Sequence, residues 1–140
     1  MAVITPEMYS RGADGSEHAH QVALFIWVAQ TGAKQWPELD LLHAIPNGGE
    51  RAKIVAARLK AEGVKSGVSD LFLPVARQGM HGLYIEMKRP FNTPELRENS
   101  VSENQTKWID NVRGQGYGAI VCYGWQEARD ILIRYMGNTS

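Results

Sequence analysis

Ser69-Asp70-Leu71-Phe72-Leu73 and, further on, Leu83-Tyr84-Ile85-Glu86-Met87-Lys88 are the stretches whose reading decides the fold. Residues 68–76 and 82–88 are two apolar and aromatic runs joined by Arg77-Gln78-Gly79-Met80-His81, a short Gly-containing connection that predicts a β-hairpin. Pro90 stops the second run. Side chains on a strand alternate faces, so Glu86 and Lys88 point one way while Ile85 and Met87 point the other. A three-residue turn centred on Gln78 or Gly79 sets Asp70 opposite Glu86 or Lys88. Directly opposed Cβ atoms lie about 4.5–5.5 Å apart, so three ionisable groups would converge on strands that are otherwise apolar.

Two carboxylates at that separation repel, and partial burial raises the cost. A divalent cation resolves the conflict. Mg²⁺ takes oxygen ligands and usually keeps several waters beside one or two carboxylates. The Met87 carbonyl can add one oxygen, and Lys88 is a point charge suited to a water or a phosphate oxygen. This is equipment for metal-dependent phosphodiester hydrolysis. The plainer alternative is a cross-strand ion pair of Asp70 with Lys88, worth only about 0.2–1 kcal/mol.

Outward from the hairpin, helices and strands alternate. The first fifteen residues read as an irregular lead-in. Ser16 is placed to cap a helix with Glu17 and His18 in its first turn and a broad apolar face over Val22 to Ala29, which Thr31-Gly32 ends. Leu41 to Ile45 reads as a strand closed by Pro46, and Arg51 to Glu62 as a helix with Gly63 behind it. Phe91 to Val101 reads as a polar loop. Ser102-Glu103-Asn104-Gln105 fits a capping box that opens a helix carrying Trp108, Ile109 and Val112. Tyr117 to Tyr123 is an apolar strand, expected to be central, and Trp125 to Met136 a last helix. The order is αβαββαβα, an α/β class with a mixed sheet of about four strands and helices on both faces.

The 140 residues suit one domain, 1–140, and 44% apolar with 21% charged residues exclude disorder. The longest mostly apolar run, Val22 to Ala29, falls far short of the roughly 18 residues of a membrane span. No secretory signal is visible at the start, and the single Cys122 forbids an internal disulfide. A cytoplasmic protein is expected. The net charge of zero divides into −4 over residues 1–50, +5 over 51–97 and −1 over 98–140, which allows a basic face beside an acidic site. Asn47-Gly48-Gly49 before a helix with Arg51, Lys53, Arg58 and Lys60 is either a phosphate-holding helix start or a plain turn and cap. Lys65 and the loop with Arg89, Asn92, Thr93 and Arg97 are candidate DNA-backbone contacts. Lys65-Ser66-Gly67 lacks the full phosphate-loop pattern, so no nucleotide cofactor is expected. The four histidines share no metal-ligand spacing.

Asp70 followed by Glu86-Met87-Lys88 resembles the PD-(D/E)xK nuclease signature, with Ser69 where the family name has Pro. More narrowly, Asn47-Gly48-Gly49, the run Gly63 to Leu71, Tyr84 to Arg89, and Gln105 with Trp108 resemble the VRR-Nuc branch, over about Glu17 to Tyr135. The resemblance implies a restriction-endonuclease-like fold in its stand-alone form. It implies a Mg²⁺- or Mn²⁺-dependent, structure-selective DNA endonuclease, similar to Holliday-junction resolvases, acting as a homodimer on branched DNA in repair, in a bacterial or phage-infected cell. Asp70 and Glu86 would bind metal with the Met87 carbonyl, Lys88 would be catalytic, and Gln105 would approach the site. Glu17 would bind a metal directly or through water; it is equally a first-turn acid favoured by the helix dipole. The alternatives in view are a non-catalytic nucleic-acid-binding or assembly module on the same fold, and a restriction-type duplex endonuclease.

Overall fold

Strands β1 (His43–Ala44), β2 (Leu71–Leu73), β3 (Leu83–Lys88) and β4 (Gly118–Tyr123) form one mixed sheet in that order. The first two pairings are antiparallel and β3 with β4 is parallel. The structure, a computed structural model, describes residues 3–12, 15–46 and 53–137; the Asn47-Gly48-Gly49 turn and Arg51 lie outside them. Among the described residues, seven α-helices accompany the sheet: α1 (Pro6–Gly12), α2 (Glu17–Trp27), α3 (Ala33–Gln35), α4 (Lys53–Ala61), α5 (Pro94–Asn99), α6 (Glu103–Gly114) and α7 (Trp125–Met136). The α/β class, the mixed sheet and the flanking helices are as the sequence leads one to expect.

The hairpin differs in detail. Its turn has two central residues, Gln78 and Gly79, both with positive φ (54° and 76°). That is the signature of the primed two-residue turn whose twist matches the flanking strands. Arg77 pairs with Met80, but Leu73 pairs with Leu83, so the first strand carries one residue more than the second between these two pairs. The extra residue sits around Pro74, which has no N–H to give to the ladder, and Val75 N–H turns back to the Leu73 carbonyl at 2.9 Å. This bulge sets the register. It shortens the expected strand 68–76 to three residues and aligns the continuation of β2 so that Asp70 comes level with Glu86.

Four further sequence expectations are corrected. Residues 6–12 are not irregular but form α1, and residues 94–99 of the expected loop form α5. Thr5 Oγ1 accepts from Met8 N–H at 3.1 Å, and Thr93 Oγ1 from Leu96 N–H at 3.2 Å. In both, Pro occupies the first helical position, where its missing N–H is not needed. The strand expected at 41–45 shrinks to β1, because Pro37–Leu41 is taken up by a 3-10 turn. The helix expected to end at Thr31-Gly32 instead continues from α2 through a π segment, Val28–Gly32, into α3.

The two faces of the sheet are unlike. One is covered by α2 and α7 and holds the main core, with Leu24, Leu71, Ile85, Met87 and Leu132 sealed from solvent and Trp125 among them. Cys122 lies in this core, where burial pushes its thiol up to about 12. The other face carries a smaller cluster in which Ile109 and Val112 of α6 pack on Ala119 and Tyr84. β4 is an edge strand. Gly118 and Gly124 donate toward β3, so the alternate residues 119, 121 and 123 turn their backbone groups outward. Arg113 covers the Ala119 carbonyl with two hydrogen bonds (3.0 and 2.7 Å), and Glu127 accepts from Tyr123 N–H at 3.0 Å.

Candidate active site

Glu86 lies on the α6 side of β3, 3% exposed, with Lys88 two residues on and 7% exposed. Both are ionisable groups buried in the fold, where the charged form is costly unless partners compensate. The compensation is incomplete. Lys88 Nζ stands 4.0 Å from Glu86 Oε2, and the Gln105 amide donates to the same oxygen at 3.1 Å. Glu86 Oε1 is buried and has no hydrogen-bond partner among the described residues. Burial first, and then the neighbouring Asp70 carboxyl, push the Glu86 carboxyl up to about 9, against the opposing pull of Lys88.

Asp70 approaches from the continuation of β2. Its carboxylate accepts from Met87 N–H at 2.7 Å, and its own carbonyl accepts from Ile45 N–H at 2.7 Å. The hydrogen bond to Met87 fixes the direction of that peptide. The N–H and carbonyl of one strand residue point to the same side, so the Met87 carbonyl also faces the Asp70 side of β3. Asp70 and Glu86 thus stand side by side, and the Met87 carbonyl faces the same edge of β3 as Asp70. A carboxyl oxygen without a partner, two acids side by side and an amine at their rim suit a hard divalent cation. Among the described residues, no three His, Cys, Asp or Glu side chains stand together as a ready-made metal group.

Gln105 is held by its own helix start. Ser102 Oγ accepts from Gln105 N–H at 3.1 Å, and Ser102 N–H donates to Gln105 Oε1 at 2.9 Å. The amide oxygen is thus spent on the capping box and the amide nitrogen on Glu86. A glutamate would cap equally well, but it would set a third carboxylate against Glu86. Glycine at position 67 lets the neighbouring loop come this close: with φ at +90°, a Cβ there would run into the Asn104 carbonyl. Asn104 also donates to Ser66 Oγ at 3.1 Å.

The remaining expected residues divide. Glu17, next to the Ser16 cap that accepts from Ala19 N–H, is exposed at the start of α2 yet borders the same cleft. Partial desolvation raises its carboxyl, Lys88 and Arg89 lower it, and Asp70 raises it, so it feels the site without a direct bond to it. Lys65 and Lys60 line the cleft, a space of about 880 Å³ between α4, the loop 63–70 and the start of α6. Lys53 begins α4. Arg89 is exposed, with its guanidinium 5.2 Å from the Phe91 ring. Arg97 is held against the fold: it bonds Glu127 at 2.7 Å and the Phe91 carbonyl at 3.0 Å and lies over Tyr123. Pairing across to α7 consumes it, which its position in a polar stretch does not reveal.

A VRR-NUC domain profile matches residues 13–126, and the chain belongs to the VRR-NUC domain family, a nuclease-related family. A solved structure described as a VRR_NUC domain protein is similar, with 28% identity, a TM-score of 0.69, and 86% of this chain and 88% of that one covered. No curated protein matches the chain. No helix among the described residues is long and apolar enough to cross a membrane.

Proposed function

We propose that the chain is a divalent-metal-dependent endonuclease that hydrolyses phosphodiesters in DNA, with branched DNA as the preferred form and two copies acting together. The observation that carries this reading is the placing of Asp70 and Glu86 at one end of the buried β2–β3 pair, on the wall of an open cleft, with the Lys88 amine behind them 4.0 Å from Glu86. Membership of a nuclease-related family supports it independently.

Mg²⁺ or Mn²⁺ held by Asp70, Glu86 and the Met87 carbonyl would neutralise phosphate charge and make water more acidic. Burial and the neighbouring Asp70 raise the Glu86 carboxyl, so the site without a cation disfavours the charged form and a bound cation would favour it. Lys88, fixed on the same strand, is aimed at whatever lies beside Glu86 Oε2, and so orients a water or a phosphate oxygen. Gln105 keeps Glu86 in place through an amide that cannot itself be charged. Glu17 adds a negative charge at the rim, which acts on the cation through space or through water.

The test is a panel of junction, flap, linear duplex and plasmid DNA incubated with Mn²⁺ and then with EDTA. Cleavage of branched forms that stops with EDTA is expected. Cleavage that persists in EDTA, or no cleavage of any form, overturns the reading. Cleavage of plasmid with no preference for branched forms overturns only the substrate preference.

A further inference from the structure

One group of side chains plays no part in that chemistry. On the same sheet face as Glu86 and Lys88, toward the other end of the strands, lies a row of rings. Phe72 on β2 and Tyr84 on β3 have centroids 4.4 Å apart, tilted by 30°. Tyr117, just before β4, lies 5.7 Å from Tyr84 and 6.0 Å from Phe72. His43 on β1 meets Phe72 edge-on at 5.9 Å, and Trp108 of α6 meets Tyr84 edge-on at 5.5 Å. Glycine at position 82 makes room, because a Cβ there would come within 2.9 Å of the Phe72 ring. Phe72, Tyr84 and Tyr117 are only partly buried, and His43 is exposed.

A strand face buried wholly under helices is ordinarily rich in Val, Ile and Leu. The opposite face follows that rule, with Leu71, Leu73, Leu83 and Ile85. The location narrows the ligand. Phe72 is two residues from Asp70, and Tyr84 two residues from Glu86. Two strand residues span about 6.6 Å, which is close to the reach from a backbone phosphate to the base it carries.

We propose that this row of rings is a stacking platform for unpaired nucleobases beside the scissile phosphate. The substrate class is therefore DNA with a single-stranded segment adjoining the cut, such as a flap or a splayed arm. A base inside a duplex offers the protein only its edges, because its faces are stacked on its neighbours. Rings take base faces, and every base has one, so the preference is for an unpaired strand and not for a sequence. The idea rests on the nuclease reading for its scissile phosphate, but the stacking itself does not need cleavage.

The experiment measures fluorescence anisotropy of labelled dT15 and of a 15-base-pair duplex against the full chain in EDTA. Phe72→Leu and Tyr117→Leu are each expected to weaken dT15 binding about tenfold and duplex binding less than twofold. Equal losses for both DNAs, or no loss for dT15, overturn the proposal. Because leucine can loosen the ring row itself, the wild-type chain is also photocrosslinked to an oligonucleotide carrying 5-iodouracil. Crosslinks in the peptides that hold Phe72, Tyr84 or Tyr117 are expected, and crosslinks confined to other peptides overturn it. A chain that binds dT15 through these rings but cuts nothing with Mn²⁺ refutes the nuclease reading alone. A chain that cuts branched DNA without ring-dependent binding refutes the platform alone.

Discussion

Ile85 and Glu86 are neighbours on one strand, and the two sheet faces they look onto follow opposite rules. Behind Ile85 lie α2, α7 and a sealed aliphatic core. In front of Glu86 lie a second acid, an amine, an amide and a carboxyl oxygen with no hydrogen-bond partner among the described residues. The first face gains stability from every contact. The second holds groups that repel or lack partners, and persists because the first face and the α6 capping box over-determine the backbone. Strain of this kind is expected where a site waits for a ligand, and it allows the comparison to be tested one residue at a time.

The largest effect should come from Lys88→Ala. Cleavage of branched DNA in Mn²⁺ should fall by about 10³-fold, equal to about 4 kcal/mol of barrier, while gel-shift affinity stays within about threefold. Retained cleavage would remove Lys88 from the chemistry. On the opposite face, Ile85→Ala should cost about 3 kcal/mol of stability by urea unfolding, because it opens a void in the core. A loss below about 1 kcal/mol would mean that this face is packed less tightly than its burial suggests.

Glu86→Gln should do the reverse of Ile85→Ala. The native Glu86 carboxyl, raised from 4.5 to about 9, keeps a proton that the unfolded chain releases above about 4.5. Wild-type stability in EDTA should therefore fall as pH rises between these values, and the neutral amide should abolish that slope. At pH 8 the variant should be more stable by about 2 kcal/mol, and calorimetry should find its Mn²⁺ binding weakened sharply. Parallel stability curves for the two proteins would refute the strained carboxyl, and an unchanged Mn²⁺ isotherm would refute the ligand role. The smallest effect belongs to the helix start. Ser102→Ala should cost about 1 kcal/mol through the lost cap of the Gln105 backbone N–H, and it should also lower cleavage by loosening the helix start that carries the Gln105 side chain. Unaltered cleavage with the expected stability loss would show that Gln105 does not need its cap to reach Glu86.

The core face was the more legible of the two in the sequence. Alternation in Leu83 to Lys88 and the helical face of Trp125 to Met136 are local patterns, and the strand β4 and helix α7 lie within a residue of their expected bounds. The alignment of Asp70 with Glu86 was readable as one of two registers, but choosing between them required the bulge at Pro74, which no periodicity encodes. Both overlooked helices open on Thr-Pro-Glu, at 5–7 and at 93–95. They were missed because seven and six residues are too few to show an apolar stripe, although the capping residues alone carried the signal. On the site face, Gln105 was readable as a capping residue, whereas its second bond joins residues of different elements. The engagement of Arg97 with Glu127 and Tyr123 is likewise invisible in one dimension.

The covering of β4 by Arg113 and Glu127 bears on how the molecule keeps company. A bare outer strand is an open template on which another chain can lay a strand of its own, in an orderly pair or in an endless fibril. Here one carbonyl and one amide along that rim are already taken by side chains, and the opposite rim ends in a strand of two residues. In the proposed pair of copies, this covering turns the contact away from strand addition and toward helices or loops.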